Sequence, residues 1–247
     1  MLKLRFIGSG NAFNDGGRLN QCICVELAGK PAILIDCGPG IPGVLRNIYG
    51  DLGVNDIGYL LLTHFHGDHA AGVPFFLLNS KYMSRRTAKL AIIGPHGTEN
   101  QVKGLNKLCY PSALEDPGFP LEFIELDPKL ETRLRNGIRL QITAIPVKHR
   151  PESLGYRITV EDKILAITGD TSWTESLIEL GKDVDLYIME CNDFTSVSPH
   201  LNYEEIIANR NLIGAKRIVL NHLGATMLEN LDKVDIETAS DGYIIEL

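Results

Sequence analysis

The sequence predicts an α/β chain built as two β-sheets sandwiched between helices. Three observations carry that expectation. Short apolar runs that read as strands come with helices after them, and the same order repeats in the second half. No linker or low-complexity segment separates the halves. Residues of metal-ligand type, His66, His149, Asp170 and His222, each follow an apolar run, which is where α/β sites form.

Taken in order, residues 2–7 alternate apolar and basic side chains and read as a strand. A glycine-rich stretch follows, with Gly8, Gly10, Gly16 and Gly17. It lacks the lysine and serine or threonine of a P-loop and reads as a loop bordering the site. Residues 21–27 and 32–35 form the next two strands, and a turn at residues 36–40 leads into a helix over 41–49. A buried strand at 58–62 precedes the histidine cluster, and 73–82 reads as an apolar helix. The strand at 90–93 is followed by a helix ending near Leu108. Residues 111–120 hold three prolines and read as an irregular loop, a candidate lid. His96, in the turn after Pro95, reads as a plain loop residue.

Strands resume at 121–126 and 138–147. Residues 155–160 and 163–167 form a hairpin over Glu161 and Asp162. A helix over 175–180, a buried strand at 186–189, a helix over 203–211 with Asn202 as its N-cap, and strands at 216–220 and 243–246 complete the chain.

Composition narrows the class. The chain has 247 residues, of which 44% are apolar, enough for a sizeable core. A net charge of −7 without a long basic run argues against coating nucleic acid by charge alone. The five cysteines lack C-x-x-C spacing, which fits mostly buried, reduced thiols in a cytoplasmic protein. Cys22 and Cys24 alternate on one strand face and read as core. Residues 1–6 show no signal-peptide apolar region, and no run approaches the roughly 20 apolar residues of a membrane span.

The chemistry concentrates in residues 63–69, Thr63-His64-Phe65-His66-Gly67-Asp68-His69, which hold three of the seven histidines. His64 and His66 are two apart and point the same way on extended backbone. Gly67 allows a tight turn, and Asp68 reads as the N-cap of a helix through Ala70 to Gly72. Past that turn, Asp68 and His69 face a second point. One segment thus supplies two half-sites for zinc, manganese or iron, each needing further ligands from elsewhere.

These residues resemble the metallo-β-lactamase fold superfamily, with its His-x-His-x-Asp-His motif and a distant His, Asp and His. The resemblance implies an αββα sandwich, two mixed sheets flanked by helices, forming a single hydrolase domain over residues 1–247. It also implies two divalent cations, zinc first, with manganese or iron as alternatives. His64, His66 and His149 would hold one, Asp68, His69 and His222 the other, and Asp170 with a hydroxide would bridge both.

The resemblance narrows to the ribonuclease Z-like and small phosphodiesterase branch. Residues 67–74 match its G-D-H-x-x-G-x-P, 149–157 its H-x-x-x-S-x-G-Y-R, and 169–171 its G-D-T. Residues 34–38 and 93–95 also fit. His200 precedes His222 by 22 residues, where the branch carries a further active-site histidine. It implies Asp68 and His200 as catalytic groups, with Ser153 and His200 contacting substrate. Two departures stand out. Leu201 and Asn202 follow His200 in place of a small residue and threonine. Only twenty residues separate His149 from Asp170, where transfer-RNA processing members usually insert a long arm.

The expected function is a dinuclear phosphodiesterase acting on a small or cyclic phosphodiester, with RNA not favoured, no membrane partner, and a homodimer as the assembly. The alternatives are a ribonuclease Z-type transfer-RNA 3′-processing endonuclease and a thioester or lactone hydrolase on the same frame. A di-iron redox protein fits worse, since such relatives generally carry a carboxylate where His66 stands. A dead interaction module fits worse still, because the ligand set is complete.

Overall fold

The computed structural model describes residues 1–135, 137–195 and 199–247, with the backbone alone for Leu52. The first half runs β1 (Leu2–Gly8), β2 (Cys22–Leu27), β3 (Ala32–Ile35), α1 (Ile41–Gly53), β4 (Ile57–Leu61), α2 (Gly67–Ala70), α3 (Val73–Tyr82), β5 (Leu90–Gly94), α4 (Thr98–Cys109) and β6 (Leu121–Glu125). The second runs β7 (Glu131–Arg135), β8 (Arg139–Pro146), β9 (Leu154–Val160), β10 (Lys163–Ile167), α5 (Ser176–Gly181), β11 (Leu186–Glu190), α6 (Tyr203–Asn209), β12 (Ile218–Asn221), α7 (Ala225–Leu228), β13 (Glu237–Thr238) and β14 (Ile244–Glu246).

Two seven-stranded sheets result, in the orders β14-β1-β2-β3-β4-β5-β6 and β13-β12-β11-β10-β9-β8-β7. Each is mixed. β1, β2 and β3 pair antiparallel, whereas β3 through β6 pair parallel. β7 through β10 pair antiparallel, and β10 through β13 parallel. The expected αββα sandwich is what the chain adopts.

Strand alternation builds three apolar layers. Phe6, Ile23, Val25 and Leu61 of the first sheet meet Leu140, Ile142, Tyr156 and Ile188 of the second in the central core. The opposite face of the first sheet, including Cys22, Cys24 and Leu60, packs on Ile41 and Leu45 of α1 and Phe76 of α3. Met189 and Leu220 of the second sheet pack on Leu180 of α5 and Ile206 of α6. Four cysteines are buried and Cys109 is exposed. The buried Tyr156 hydroxyl donates to Leu62 O at 2.7 Å, tying the second sheet to the strand end that carries the histidines. No described helix is long and apolar enough to cross a membrane.

Several elements differ from expectation. β7 and β13 have no counterpart in the sequence reading. Both are short edge strands without a buried residue, so no apolar alternation announces them. Gly50, at φ 72°, interrupts α1 near its expected end. His66, at φ −62° and ψ 153°, is the N-cap of α2, and Asp68 lies inside the first turn. The 111–120 loop is pinned. Leu114 and Phe119 are buried, and Lys81 Nζ donates to Ala113 O at 2.8 Å and Asp116 O at 2.6 Å.

Candidate metal centre

The predicted ligand residues converge at one edge of the sandwich. His64 and His66 follow β4, Asp68 and His69 open α2, His149 follows β8, Asp170 follows β10, and His222 follows β12. Local backbone forces this placement. Gly169 adopts φ 60°, and a Cβ there would lie 2.9 Å from Thr63 Cβ, so the turn brings Asp170 against the histidine segment. His222 adopts φ 57°, a conformation uncommon for a residue with a Cβ, and it turns the ring back towards Asp68.

Among the described residues three groups of metal-type donors meet at Asp170, two made of the predicted ligands and a third of Asp170, Glu190, His200 and His222. In the first, His64 Nε2 lies 3.0 Å from His66 Nδ1, which lies 3.1 Å from His149 Nε2. Asp170 Oδ2 closes the group, 3.7 Å from His64 Nε2 and 3.9 Å from His149 Nε2. In the second, His69 Nε2 lies 3.2 Å from both Asp68 Oδ2 and Asp170 Oδ1. His222 Nε2 lies 3.5 Å from the same two oxygens.

These residues fit a divalent cation at each point. Tetrahedral ligation at 2.0–2.2 Å places donor atoms about 3.3–3.6 Å apart, close to the separations found. His69 Nε2 and Asp170 Oδ1 are buried and have no hydrogen-bond partner, an arrangement a cation would satisfy. This cluster of histidine and aspartate groups offers the donor set of a divalent-metal site.

Surrounding hydrogen bonds set the histidine tautomers. A carboxylate or carbonyl oxygen can only accept. His69 Nδ1 therefore donates to Asp36 Oδ2 at 2.8 Å, turning Nε2 to the site. His149 Nδ1 donates to Pro199 O at 3.3 Å with the same result. The Thr63 hydroxyl donates to Asp36, at 3.1 Å from Oδ1 and 3.0 Å from Oδ2, and so accepts from His64 Nδ1 at 3.1 Å. Asp36 thus orients one ligand of each group, directly or through Thr63. It also accepts from Gln21 Nε2 at 3.2 Å, and Gln21 Oε1 accepts from Asn221 Nδ2 at 3.1 Å, which joins the two sheets beneath the site.

Burial and neighbouring charge prepare the two groups differently. Burial, and then the nearby His69, push His64 down to about 2, so it presents a lone pair. Burial also lowers His66 and His149. Burial opposes ionisation of Asp170, but His222 and His69 hold it well below the usual carboxylate range. Asp68 is likewise held low, against its burial, by the facing His222 and His69 rings. Burial would lower His69 and His222. The carboxylates overcome it, chiefly Asp170 in both cases, and both rings are raised.

His200 stands at the rim of this centre. Its Nδ1 lies 3.2 and 3.1 Å from Glu190 Oε1 and Oε2, and 3.8 Å from Asp170 Oδ2. Burial pulls its pKa down, but the hydrogen bond and charge of Glu190 prevail and raise it to about 9. Glu190 is a residue of this cluster that the sequence reading missed. It is buried at the end of β11, accepts from Thr171 N, and lies 3.8 Å from His222 Nδ1. Its position directly after an apolar run was the signal that could have found it.

Other residues fall outside the centre. Ser153 is buried, its Oγ accepting from Arg150 N at 3.1 Å, which shapes the turn after His149. Arg157 donates to Glu179 O, Leu180 O and Lys182 O at 3.3, 2.9 and 2.7 Å, holding the C-terminal carbonyls of α5. Arg150 pairs with Glu152 at 3.0 Å and remains exposed. His96 pairs with Asp127 at 2.8 Å on the surface. A cavity of about 360 Å³ opens over the centre, lined by His66, Asp68, Asp170, His200 and His222 and by Asn11 to Phe13 of the glycine-rich loop.

Comparison with known proteins agrees with this fold. The Ribonuclease Z of Clostridium acetobutylicum is 33% identical over 169 residues, covering 66% of this chain and 51% of that protein, so the match spans about half its length. The Ribonuclease Z of Mycobacterium bovis is 28% identical over 249 residues, covering 90% of this chain and 86% of that protein. The metallo-beta-lactamase fold protein YhfI from Bacillus subtilis superposes with a TM-score of 0.78 at 22% identity, over 100% of this chain and 99% of that one. A diphosphatase from the PhnP family gives 0.80 at 19%, over 100% and 98%. Human tRNase Z, short form, gives 0.76 at 22%, over 99% and 98%. The chain is a metal-dependent hydrolase of the metallo-β-lactamase fold. Over residues 2–239 its sequence matches the family described as Anti-Pycsar protein Apyc1, and the chain belongs to that family.

Proposed function

We propose that the chain is a dinuclear phosphodiesterase that hydrolyses a small or cyclic phosphodiester. The observation that carries the reading is Asp170, whose Oδ2 faces His64 and His149 and whose Oδ1 faces His69 and His222. Two divalent cations held there, zinc or else manganese or iron, would polarise the phosphate oxygens and acidify a water enough to attack phosphorus near neutral pH.

The chain's own groups do the rest. Asp68 stays ionised, lines the cavity and accepts the proton of the attacking water. His200 lines the same cavity and is charged at neutral pH, held by Glu190, so it donates a proton to the leaving oxygen or stabilises the phosphate. Ser153 acts indirectly, through the turn that carries His149 and Arg150.

Substrate size follows from what lies beside the centre. The segment between His149 and Asp170 is a tight hairpin of β9 and β10, and its Arg157 is engaged by α5. A folded RNA draws its affinity from many lysine and arginine contacts to phosphates. Arg150, whose charge reaches His66, is already paired with Glu152.

The relatives named Ribonuclease Z favour a second reading, transfer-RNA 3′-processing. Parallel assays of the metal-loaded protein separate the two. The substrates are a 2′,3′-cyclic nucleotide, a ribose cyclic phosphate, precursor transfer RNA, a thioester and a lactone. The small phosphodiesters should show the highest kcat/KM. Efficient, salt-sensitive cleavage of the precursor at its 3′ trailer, with no turnover of small esters, would establish the second reading. Turnover of the thioester or lactone alone would overturn both.

A further inference from the structure

We propose that Phe13 is the specificity-determining wall of the substrate cavity, stacking on a planar aromatic group carried by the phosphodiester. The inference rests on the phosphodiesterase reading and deepens it. Phe13 is 83% exposed, yet it lines the cavity together with His66, Asp68, His200 and His222. Among the described lining residues it is the one aromatic that is not a histidine.

The fold does not need a phenylalanine at this position, because its neighbours make the turn. Asn11 Oδ1 accepts from Phe13 N at 3.1 Å and from Asp15 N at 3.4 Å. Asn14, at φ 55°, donates from Nδ2 to Arg18 O at 2.8 Å. The loop is also pinned to the second half of the chain. Asn11 Nδ2 donates to Asn192 Oδ1 at 3.0 Å, and Ala225 N donates to Asp15 Oδ2 at 2.9 Å. Asp241 accepts from Ser9 N at 2.9 Å and Leu19 N at 2.8 Å.

Single exposed apolar side chains are ordinary on protein surfaces. This one differs in standing on a braced loop at the mouth of the metal centre. A ring with two torsions on a fixed backbone loses little freedom when a partner stacks on it. A planar aromatic group gains most from that face, whereas a saturated sugar or alkyl group gains less.

Three esters that share the nitrophenolate leaving group test this, since they hold the chemical step constant. They are thymidine 5′-(p-nitrophenyl phosphate), bis(p-nitrophenyl) phosphate and methyl p-nitrophenyl phosphate, whose retained groups, opposite the shared leaving ring, carry a base, an aryl ring and no ring, so the comparison reads recognition of the retained group. Phe13→Ala should lose on the order of 5- to 150-fold in kcat/KM on the ester whose ring the wall recognises, the range of one base–aromatic stack. Most of the loss should lie in KM, with a far smaller loss on the methyl ester. Comparing the base-bearing and aryl esters shows which ring is recognised. Phe13→Trp should keep the preference, and the unfolding midpoint of Phe13→Ala should stay at the wild-type value. Equal losses on all three esters, or none on any, overturn the inference while leaving the phosphodiesterase reading intact. A metal-loaded wild-type protein that turns over none of the three overturns both.

Discussion

Replacing Asp36 by Asn probes how the centre is tuned without touching a ligand. Asp36 sits at φ 60°, a conformation asparagine also tolerates, so the backbone need not move. Its Oδ1 accepts from Thr63 N at 2.8 Å and from the Thr63 hydroxyl, and the amide oxygen of Asn can keep both bonds. The amide NH₂ then takes the place of Oδ2 and confronts two donors, His69 Nδ1 at 2.8 Å and Gln21 Nε2 at 3.2 Å. His69 can satisfy the new donor only by moving its proton to Nε2, which removes the lone pair it offers a cation. The lost charge-assisted bond amounts to about 1.5–3 kcal/mol, or roughly 10- to 150-fold in affinity. Supporting partners of metal-ligating histidines fall in a similar range of about 10- to 100-fold. Metal titration against a chromophoric chelator should show one binding event weakened by that factor and the other nearly unchanged, because the Thr63–His64 relay survives. Chemical denaturation of the metal-free variant should show a loss of about 1–3 kcal/mol from the unsatisfied buried donors. Equal weakening of both events, or of neither, would refute the tautomer argument.

Two further predictions follow from the charges at the site. His200→Ala should keep its metal and lose on the order of 10²–10⁴ in turnover of an ester with a poor leaving group, with a smaller loss for nitrophenolate; a fall in metal content would show that His200 supports the ligands instead. Metal affinity should rise with pH. His69 and His222 have raised pKa values in the metal-free protein, so their contacts with Asp170 stabilise that form below the unfolded histidine value of about 6.5, and this contribution is lost as pH climbs through the folded values. Cation binding needs both rings neutral and must release protons. Calorimetry in buffers of different ionisation enthalpy reads that release, and a pH-independent affinity with no proton release would contradict the assignment.

Much of the fold was legible because the buried strands carry their own pattern. Leu60, Leu61 and Leu62 form an apolar run that ends at Thr63, and burial on both sheet faces explains why no polar residue interrupts it. The site was legible for the same reason, since His64, His149, Asp170 and His222 stand two or three residues beyond such runs. What stayed hidden depended on partners distant in sequence. Nothing local distinguishes Arg157, at the end of the 149–157 stretch, from a substrate-binding arginine, but its guanidinium is engaged by backbone carbonyls of residues 179–182. Glu190 reads as a strand-end acid until the fold sets it against His200 and Thr171. Asp68 resembles an N-cap because it is acidic and follows a glycine, yet the extended residue that starts α2 is His66. β7 pairs through Thr132 and Leu134 along a sheet edge, where charged side chains dominate and alternation is weak.

The central claim is that two cations share Asp170. Elemental analysis of wild-type protein and of Asp170→Asn, each loaded with excess zinc or manganese and then desalted, tests it most directly. The geometry predicts close to two equivalents per chain in the wild type and loss of both in the variant, since each group of ligand atoms includes one Asp170 oxygen. A wild-type maximum of one equivalent, or an Asp170→Asn protein that still holds two, would contradict it.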